Sequence, residues 1–128
     1  MRIDVLDKVF SKYIRLRDSK PYGFKAFKCI SCGRVLSIEQ ADAGHFVKRS
    51  NMATRFNEMN VHAQCISCNR FHDGNYEEFR KNLEDKFGVQ KMAHLLQLGH
   101  CTVKYSNSDI EEMIKYYRKK IKELETEQ

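Results

Sequence analysis

Apolar residues recur at helical spacing near both ends of the chain, which predicts helices there. The first segment, 2–17, is predicted to be an amphipathic helix because of the spacing of Ile3, Leu6, Phe10, Tyr13 and Ile14. A second periodic segment, 76–87, is followed by a shorter one from residue 89 to about residue 98. The last segment, 108–125, carries an apolar stripe that consists of Ile110, Met113, Ile114, Tyr117, Ile121 and Leu124. This stripe either packs on the chain's own core or contacts a second copy.

Residues with known preferences for helix ends mark the boundaries of these segments. Pro21 lies in segment 18–23, which is expected to end the first helix. Asn75 is the expected N-cap of helix 76–87, and Gly88 is expected to end that helix. Ser108 and Glu111 have the spacing of a capping box, so the last helix is predicted to begin at Ser108.

The central part of the chain predicts a hairpin. The stretches 41–47 and 59–64 have the composition of short strands, and the polar segment 48–58 would be the loop between them. A helix is expected to begin around Cys68. The chain is therefore predicted to be one α+β domain. It would consist of a basic N-terminal helix (1–20), a central core (24–75) and a helical C-terminal part (76–128).

The charge of the chain indicates a polyanionic partner. The 23 Lys and Arg residues exceed the 17 Asp and Glu residues and give a net charge of +6. Eight basic and three acidic residues lie among the first 28 residues, so most of the excess precedes the first cysteine. Nucleic acid is the commonest polyanion, and the basic side of the first helix either follows phosphates or is simply solvated. No apolar run is long enough for a membrane partner.

Four of the five cysteines form two C-x-x-C pairs, Cys29 with Cys32 and Cys65 with Cys68. Two such pairs can supply the four thiolates of a closed tetrahedral zinc site, which would be structural because it leaves no open position for substrate. The alternative is a redox dithiol. The fifth cysteine, Cys101, is expected to be a small buried residue. Free thiols without an apolar signal segment favour a reducing compartment, and we expect the cytoplasm.

Between the cysteine pairs lie residues that could hydrolyse a phosphodiester. His45, near the end of the first predicted strand, could take a proton from water near neutral pH. Asn69, directly after the second cysteine pair, could offer a carbonyl oxygen to a hard divalent cation. Taken singly, each residue also has a simpler interpretation, as a surface histidine and a helix-capping asparagine.

These central motifs resemble those of the HNH, or His-Me finger, endonucleases. The chain reads A-G-H-F at 43–46 and N-V-H-A-Q-C-I-S-C-N at 60–69. Endonuclease VII of phage T4 is similar in its two cysteine pairs and in the asparagine directly after the second. The resemblance to the phage lambda NinG (Rap) family of recombination endonucleases covers nearly the whole chain. It extends from L-D-K-V-F-S-K-Y-I-R-L-R at 6–17 to Y-Y-R-K-K-I-K-E-L at 116–124.

The resemblance implies a zinc-stapled ββα-metal core flanked by helices, and it assigns roles to the motif residues. His45 would be the general base, Asn69 a ligand of a catalytic Mg²⁺ or Mn²⁺, and Asn60 the residue that fixes the hairpin and orients His45. Many HNH enzymes have an acidic metal ligand directly before the base, but here that position is Gly44. Asp42 is a further candidate ligand if a bulge turns it towards the metal. In a regular strand it would face away from His45 and only hold the hairpin.

The function implied by the resemblance is a structure-specific endonuclease. It would hydrolyse phosphodiester bonds in branched recombination intermediates, such as Holliday junctions or D-loops, and would be encoded by a phage or prophage and act in the bacterial host. Its phosphate contacts are expected to be Lys48, Arg49, Arg55, His62 and Arg70, and the alternative role for His62 is that of a scaffold residue. Because a four-way junction has two symmetric scissile phosphates, we expect a homodimer. The alternative is a zinc-dependent DNA-binding module without catalysis, which would need no base beside a cation ligand.

Overall fold

The computed structural model describes residues 2–128, which form a mixed α+β fold. Its helices are α1 (Ile3–Ser19), α2 (Met52–Arg55), α3 (Tyr76–Phe87), α4 (Val89–Leu98) and α5 (Asn107–Glu125). Its strands are β1 (Ala26–Lys28), β2 (Val35–Ser37), β3 (Ala41–His45) and β4 (Val61–Cys65). The four helices predicted from apolar spacing are confirmed as α1, α3, α4 and α5. The predicted hairpin is confirmed as β3 and β4.

Helices α1 and α5 pack side by side around an apolar cluster. From α1 the buried members are Leu6, Phe10 and Ile14, and from α5 they are Ile110, Ile114 and Tyr117. Each such side chain contributes about 2 kcal/mol when it is fully buried. The ion pairs Arg2–Glu111 and Lys12–Glu125 show that the two helices run in the same direction. The apolar stripe of α5 therefore belongs to the chain's own core, and its interpretation as a contact with a second copy is wrong.

The four strands form two separate antiparallel hairpins. In the first, β1 pairs with β2, and the pair Cys29 and Cys32 lies in the connection between them. In the second, β3 pairs with β4 in a regular register that runs from Ala41 opposite Cys65 to His45 opposite Val61. No bulge interrupts this register.

The C-terminal end of α1 holds the second hairpin in place. Arg17 donates hydrogen bonds to the backbone carbonyls of Glu58 (2.9 Å) and Val61 (2.8 Å). The carboxylate of Asp18 accepts one from the backbone N–H of Ala63 at 2.7 Å. Backbone groups of β4 that face away from β3 thus find partners on α1, which is why all five residues of β4 can be buried.

Helices α3 and α4 form a pair that covers the other end of the second hairpin. Gly88 joins them at φ +91°, a conformation that favours glycine, so the prediction that Gly88 ends the helix is confirmed. The pair packs around Phe46, the residue after β3, in a cluster that contains Phe79, Leu83, Met92 and Leu95. The two helices therefore fix the chain directly after His45.

Several predicted helix ends are wrong in detail. Helix α5 begins one residue after Ser106, whose side chain forms the capping box with Asp109, so Ser108 is not the cap. Asn75 precedes α3 in a left-handed conformation, and its side chain caps nothing. The helix expected around Cys68 is a single π-type turn, Ser67–Phe71. The loop after β3 contains the short helix α2, which the polar sequence did not indicate.

Two further expectations concern exposure. Cys101 is exposed and not buried, because it follows α4 in an irregular segment outside the apolar clusters. Three basic residues near or on α1, which are Arg2, Lys12 and Lys20, pair with acidic residues of α5 and of the end of the chain. Within residues 2–128, no helix is both long and apolar enough to cross a membrane.

Candidate functional site

The four paired cysteines converge on one point. The Sγ atoms of Cys29, Cys32, Cys65 and Cys68 all lie within 4.8 Å of one another. Four thiolates at the ordinary Zn–S distance of a tetrahedral site would be about 3.8 Å apart, and the Sγ atoms of Cys32 and Cys65 are 3.9 Å apart. The cluster therefore has the ligands and the dimensions to bind a zinc ion.

Hydrogen-bond donors surround the sulfur atoms of this cluster. The backbone N–H of Cys65 points at the Sγ of Cys29 (3.3 Å), and that of Cys68 at the Sγ of Cys65 (3.4 Å). The Arg34 side chain donates to Cys32 at 3.5 Å, and the Asn75 amide to Cys68 at 3.8 Å. Donors of this kind stabilise thiolates, the form that binds metal. Asn75 thus serves the cysteine cluster rather than the helix end for which it was predicted.

A separate cavity of about 430 Å³ lies beside the second hairpin. Its lining includes Asp7 and Ser11 of α1, His45 at the end of β3, Lys48 and Arg49 of the following loop, and Asn69. His45 and Asn69, which are 24 positions apart in the chain, therefore face the same space. This is the juxtaposition that the sequence motifs predicted.

The ring of His45 is held by the loop that follows β3. Its Nε2 lies 3.0 Å from the backbone carbonyl oxygen of Arg55. A carbonyl only accepts hydrogen bonds, so Nε2 carries the proton and Nδ1 is left with its lone pair. Partial burial is the main reason that the pKa of His45 lies below its ordinary value; the Arg55 carbonyl and Asp7 oppose that shift, while the charges of Arg49 and Arg55 favour it. A low pKa keeps the ring neutral and able to accept a proton at pH 7.

Asn60 fixes the loop that holds His45. Its side chain is fully buried; its Oδ1 accepts from the Val47 N–H at 2.7 Å, and its Nδ2 donates to the Val47 carbonyl at 3.1 Å. The same Nδ2 donates to the carbonyl of Thr54 at 3.0 Å. Thr54 directly precedes Arg55, whose carbonyl accepts from His45. Asn60 therefore ties both ends of the loop together and acts on His45 through the backbone.

Asp42 orients Asn69 and is itself held by Arg70. The Asp42 carboxylate accepts a hydrogen bond from Nδ2 of Asn69 at 3.0 Å. It also accepts two from the guanidinium of Arg70, each at 2.9 Å. Because a carboxylate only accepts, the Asn69 amide must turn its nitrogen to Asp42, which leaves its Oδ1 free for another partner. The register of β3 is regular, so no bulge turns Asp42, and its carboxylate is held by two side chains of the turn Ser67–Phe71.

The position before His45 is closed to an acidic side chain. A Cβ atom at Gly44 would overlap the side chain of Gln64, which is buried and donates hydrogen bonds to Ser31 (2.8 Å) and to the carbonyl of Gly74. These contacts tie β4 to the first cysteine turn and to the segment just before α3, so Gln64 cannot move away without disturbing them. The absence of an acid at this position therefore has a steric reason.

The predicted phosphate contacts divide into two groups. Lys48 and Arg49 are exposed at the cavity, and Arg70 is exposed although it is paired with Asp42. Arg55 is wrong as a phosphate contact, because its side chain is 15% exposed and is held by Asp7. His62 is wrong as well, because it is 2% exposed in the hairpin core.

The surroundings of His62 explain why it stays neutral. Its Nε2 donates to the carbonyl of Met59 at 2.9 Å, and its Nδ1 accepts from Arg17 at 3.2 Å. Burial, with the Arg17 charge beside it, lowers the pKa of His62 to about 4. His62 is therefore part of the scaffold, which was the other role considered for it.

Sequence reasoning missed Asp7 and Ser11, which α1 contributes to the cavity. Their spacing of four residues places them on one face of α1, but that face became recognisable only when α1 packed against the hairpin. Phe71 was also missed. It lies directly after Arg70 and is 76% exposed, which is unusual for a phenylalanine.

Comparison with known proteins gives one family. The model of the family described as Bacteriophage Lambda NinG protein matches residues 2–127. The chain is 33% identical to Protein ninG of Escherichia phage lambda over 115 residues, which are 88% of this chain and 52% of that protein. It is 31% identical to Protein ninG of Salmonella phage P22 and 32% identical to that of Escherichia phage 933W, with the same coverage. The chain thus spans about half the length of the curated relatives it matches. No solved structure matches it at a significant level.

Proposed function

Because the chain belongs to the NinG family, we propose that it is a metal-dependent endonuclease that hydrolyses phosphodiester bonds in branched DNA. The observation that carries this proposal is the cavity shared by His45 and Asn69. In the proposal, β3, β4 and the turn Ser67–Phe71 correspond to the ββα-metal core of the HNH endonucleases. Asn60 supports that core from within.

His45 is the general base of the proposed reaction. Its Nε2–H is bound to the Arg55 carbonyl, so Nδ1 accepts the proton of a water molecule as the water oxygen attacks phosphorus. The bond from phosphorus to the leaving oxygen then breaks. The low pKa of His45 keeps Nδ1 free of a proton near pH 7, where the reaction must run.

Asn69 would hold the catalytic Mg²⁺ or Mn²⁺ through its Oδ1. The fit rests on the amide orientation that Asp42 imposes, which leaves Oδ1 of Asn69 free as a hard oxygen ligand on a residue that lines the cavity. Such an ion, completed by water and substrate phosphate, would stabilise the negative charge on the phosphate and the leaving oxygen. Asp42 is a weaker candidate ligand, because Arg70 already occupies its carboxylate.

Several exposed side chains around the cavity fit a DNA substrate. Lys48 and Arg49 would contact phosphates beside the scissile bond, and Arg70 would do so at the edge of the site. The exposed ring of Phe71 is available to stack on a base, which requires an unpaired one and so favours branched or frayed DNA. The preference for recombination intermediates and the homodimer both rest on the family resemblance, and the homodimer stays a prediction.

The four cysteines complete the proposal as a structural zinc site. One Zn²⁺ held by Cys29, Cys32, Cys65 and Cys68 would have no open position and would take no part in hydrolysis. It would join the two hairpins, since one cysteine pair follows β1 and the other ends β4.

The decisive experiment measures cleavage of labelled four-way junction, flap, splayed-arm and duplex DNA in Mg²⁺ or Mn²⁺, with and without a chelator. His45→Ala should lower the single-turnover rate by about 10²–10⁴-fold while zinc content and DNA affinity stay unchanged. His94→Ala, at an exposed position of α4, is the matched control and should cleave normally. A protein that binds these DNAs but cleaves none of them would favour the alternative, a non-catalytic zinc-dependent DNA-binding module.

A further inference from the structure

Two parts of the same residue connect α1 to the proposed base. The backbone carbonyl of Arg55 accepts the hydrogen bond from His45, and the guanidinium of Arg55 is held by Asp7 of α1. From this arrangement we propose that Asp7 is a positioning residue, which fixes the tautomer and orientation of His45 through Arg55. The inference rests on the proposed function only in so far as His45 is the base.

The contact between Asp7 and Arg55 is geometrically specific. Nε of Arg55 lies 3.0 Å from Oδ1 of Asp7, and Nη2 lies 2.5 Å from Oδ2, so both carboxylate oxygens are used. The two side chains are 18% and 15% exposed, which excludes most of the water that would weaken the pair. A bidentate pair of this kind fixes direction as well as distance.

The loop needs such an anchor because it has little structure of its own. Arg55 is the last residue of α2, and four helical residues are too few to be stable alone. Asp7, in contrast, lies in the 17-residue helix α1 between Leu6 and Phe10, which are at most 2% exposed in the core. The pair between Asp7 and Arg55 therefore anchors the loop to the well-packed helix α1. Asn60 holds the adjacent Thr54 through a hydrogen bond to its carbonyl.

Asp7 also balances the positive charge that gathers around His45. Arg49 lies 4.0 Å from its carboxylate and Lys48 lines the same cavity, so three basic side chains, with Arg55, surround the base. Without Asp7, the Arg55 guanidinium would be free to turn to the phosphate and pull its own backbone carbonyl away from His45. Loss of Asp7 should thus disturb His45 before it disturbs the fold.

The test reads the tautomer of His45 directly and does not depend on cleavage. Long-range ¹H–¹⁵N correlation spectra of zinc-loaded protein should show Nε2-protonated His45 in the wild type, and a mixture of tautomers in Asp7→Asn. His62 is an internal reference, because its own Nε2–H bond to Met59 should persist. Asp4→Asn, an exposed position on the same helix, is the matched control and should leave His45 unchanged.

Cleavage then serves as the second measurement. At saturating DNA, Asp7→Asn should lower the single-turnover rate by about 100-fold, and Asp4→Asn should leave that rate unchanged. If Asp7→Asn does not fold, Arg55→Gln removes the same pair from the loop side and should give the same tautomer mixture. If the double variant folds, Asp7→Asn combined with Arg55→Gln should lower the single-turnover rate no further than the more damaging single substitution does.

The outcomes separate this inference from the proposed function. If His45 keeps one tautomer in both variants, the inference is overturned, whatever happens to stability or to cleavage. If the tautomer changes as expected but the wild type cleaves no DNA, Asp7 still positions His45, and the assignment of His45 as a catalytic base fails.

Discussion

Asn60 holds the loop after β3, so Asn60→Asp should destabilise the protein by an amount that can be worked out from its hydrogen bonds. The substitution is nearly isosteric, so it leaves no cavity. It keeps the oxygen that accepts from the Val47 N–H at 2.7 Å, and it replaces the Nδ2 that donates to the carbonyls of Val47 (3.1 Å) and Thr54 (3.0 Å). A carboxylate oxygen would then face two carbonyl oxygens in a site with no exposure to water.

The expected cost follows from these atoms. A buried acceptor that loses its donor costs about 1–3 kcal/mol, and Asn60→Asp deprives two of them. We therefore expect the free energy of unfolding to fall by about 4 kcal/mol at pH 7. Burial should raise the pKa of the introduced carboxyl in the folded protein above its unfolded value of about 3.9. The loss of stability should therefore become smaller as the pH falls from 7 towards about 3.9, because the folded protein then binds the proton first.

Urea denaturation of zinc-loaded protein at pH 7 and pH 5.5 would measure this loss. Asn57→Asp is a matched control in the same loop. The Asn57 side chain only accepts a hydrogen bond, from the Met59 N–H at 2.8 Å, and aspartate can accept it equally well. The control should therefore stay within about 0.5 kcal/mol of the wild type.

A loss of less than about 1 kcal/mol for Asn60→Asp would refute the reasoning. It would mean that the loop relaxes and that Val47 and Thr54 find other donors, in which case Asn60 could not determine where the Arg55 carbonyl lies. Equal losses in Asn60→Asp and Asn57→Asp would refute it too, since a general effect of added negative charge would then be sufficient.

Two further predictions concern the scaffold. Metal analysis of the pure protein should find one tightly bound zinc per chain. Cys29→Ser or Cys68→Ser should lose both zinc and cooperative unfolding, whereas the control Cys101→Ser, at an exposed cysteine outside the cluster, should keep both. A well-folded protein after complete removal of zinc would contradict this prediction. The pKa of His62 is lowered from 6.5 to about 4 in the folded chain, so the unfolded chain binds this proton first, and the stability that His62 contributes above pH 6.5 is lost as the pH falls towards 4. Between pH 7 and pH 5 the free energy of unfolding should fall by about 2 kcal/mol through His62. His62→Gln should therefore lose about that much less stability than the wild type over this range, and His94→Gln, at an exposed position, is the control. Equal acid sensitivity of His62→Gln and the wild type would show that His62 does not titrate as its burial requires.

The sequence by itself determined the local features of this protein. The apolar spacing of α1, α3, α4 and α5 is a property of neighbouring residues, and so is the composition that favours the strands β3 and β4. The two C-x-x-C pairs could be read as one cluster because thiolate pairs at that spacing have few other uses. The order of His45, Asn60 and Asn69 likewise located the candidate site before any geometry was known.

The tertiary structure alone decided which side chains remain available. Arg55 and His62 looked like phosphate contacts in the sequence, but α1 covers both, through Asp7 and Arg17. The α5 stripe is compatible with a dimer or a core until α1 is seen to fill it. These outcomes depend on pairs of residues more than 40 positions apart, and no local pattern encodes such a pairing. Burial and charge partners are properties of the packed chain, and they determine whether a basic side chain meets DNA or supports the fold.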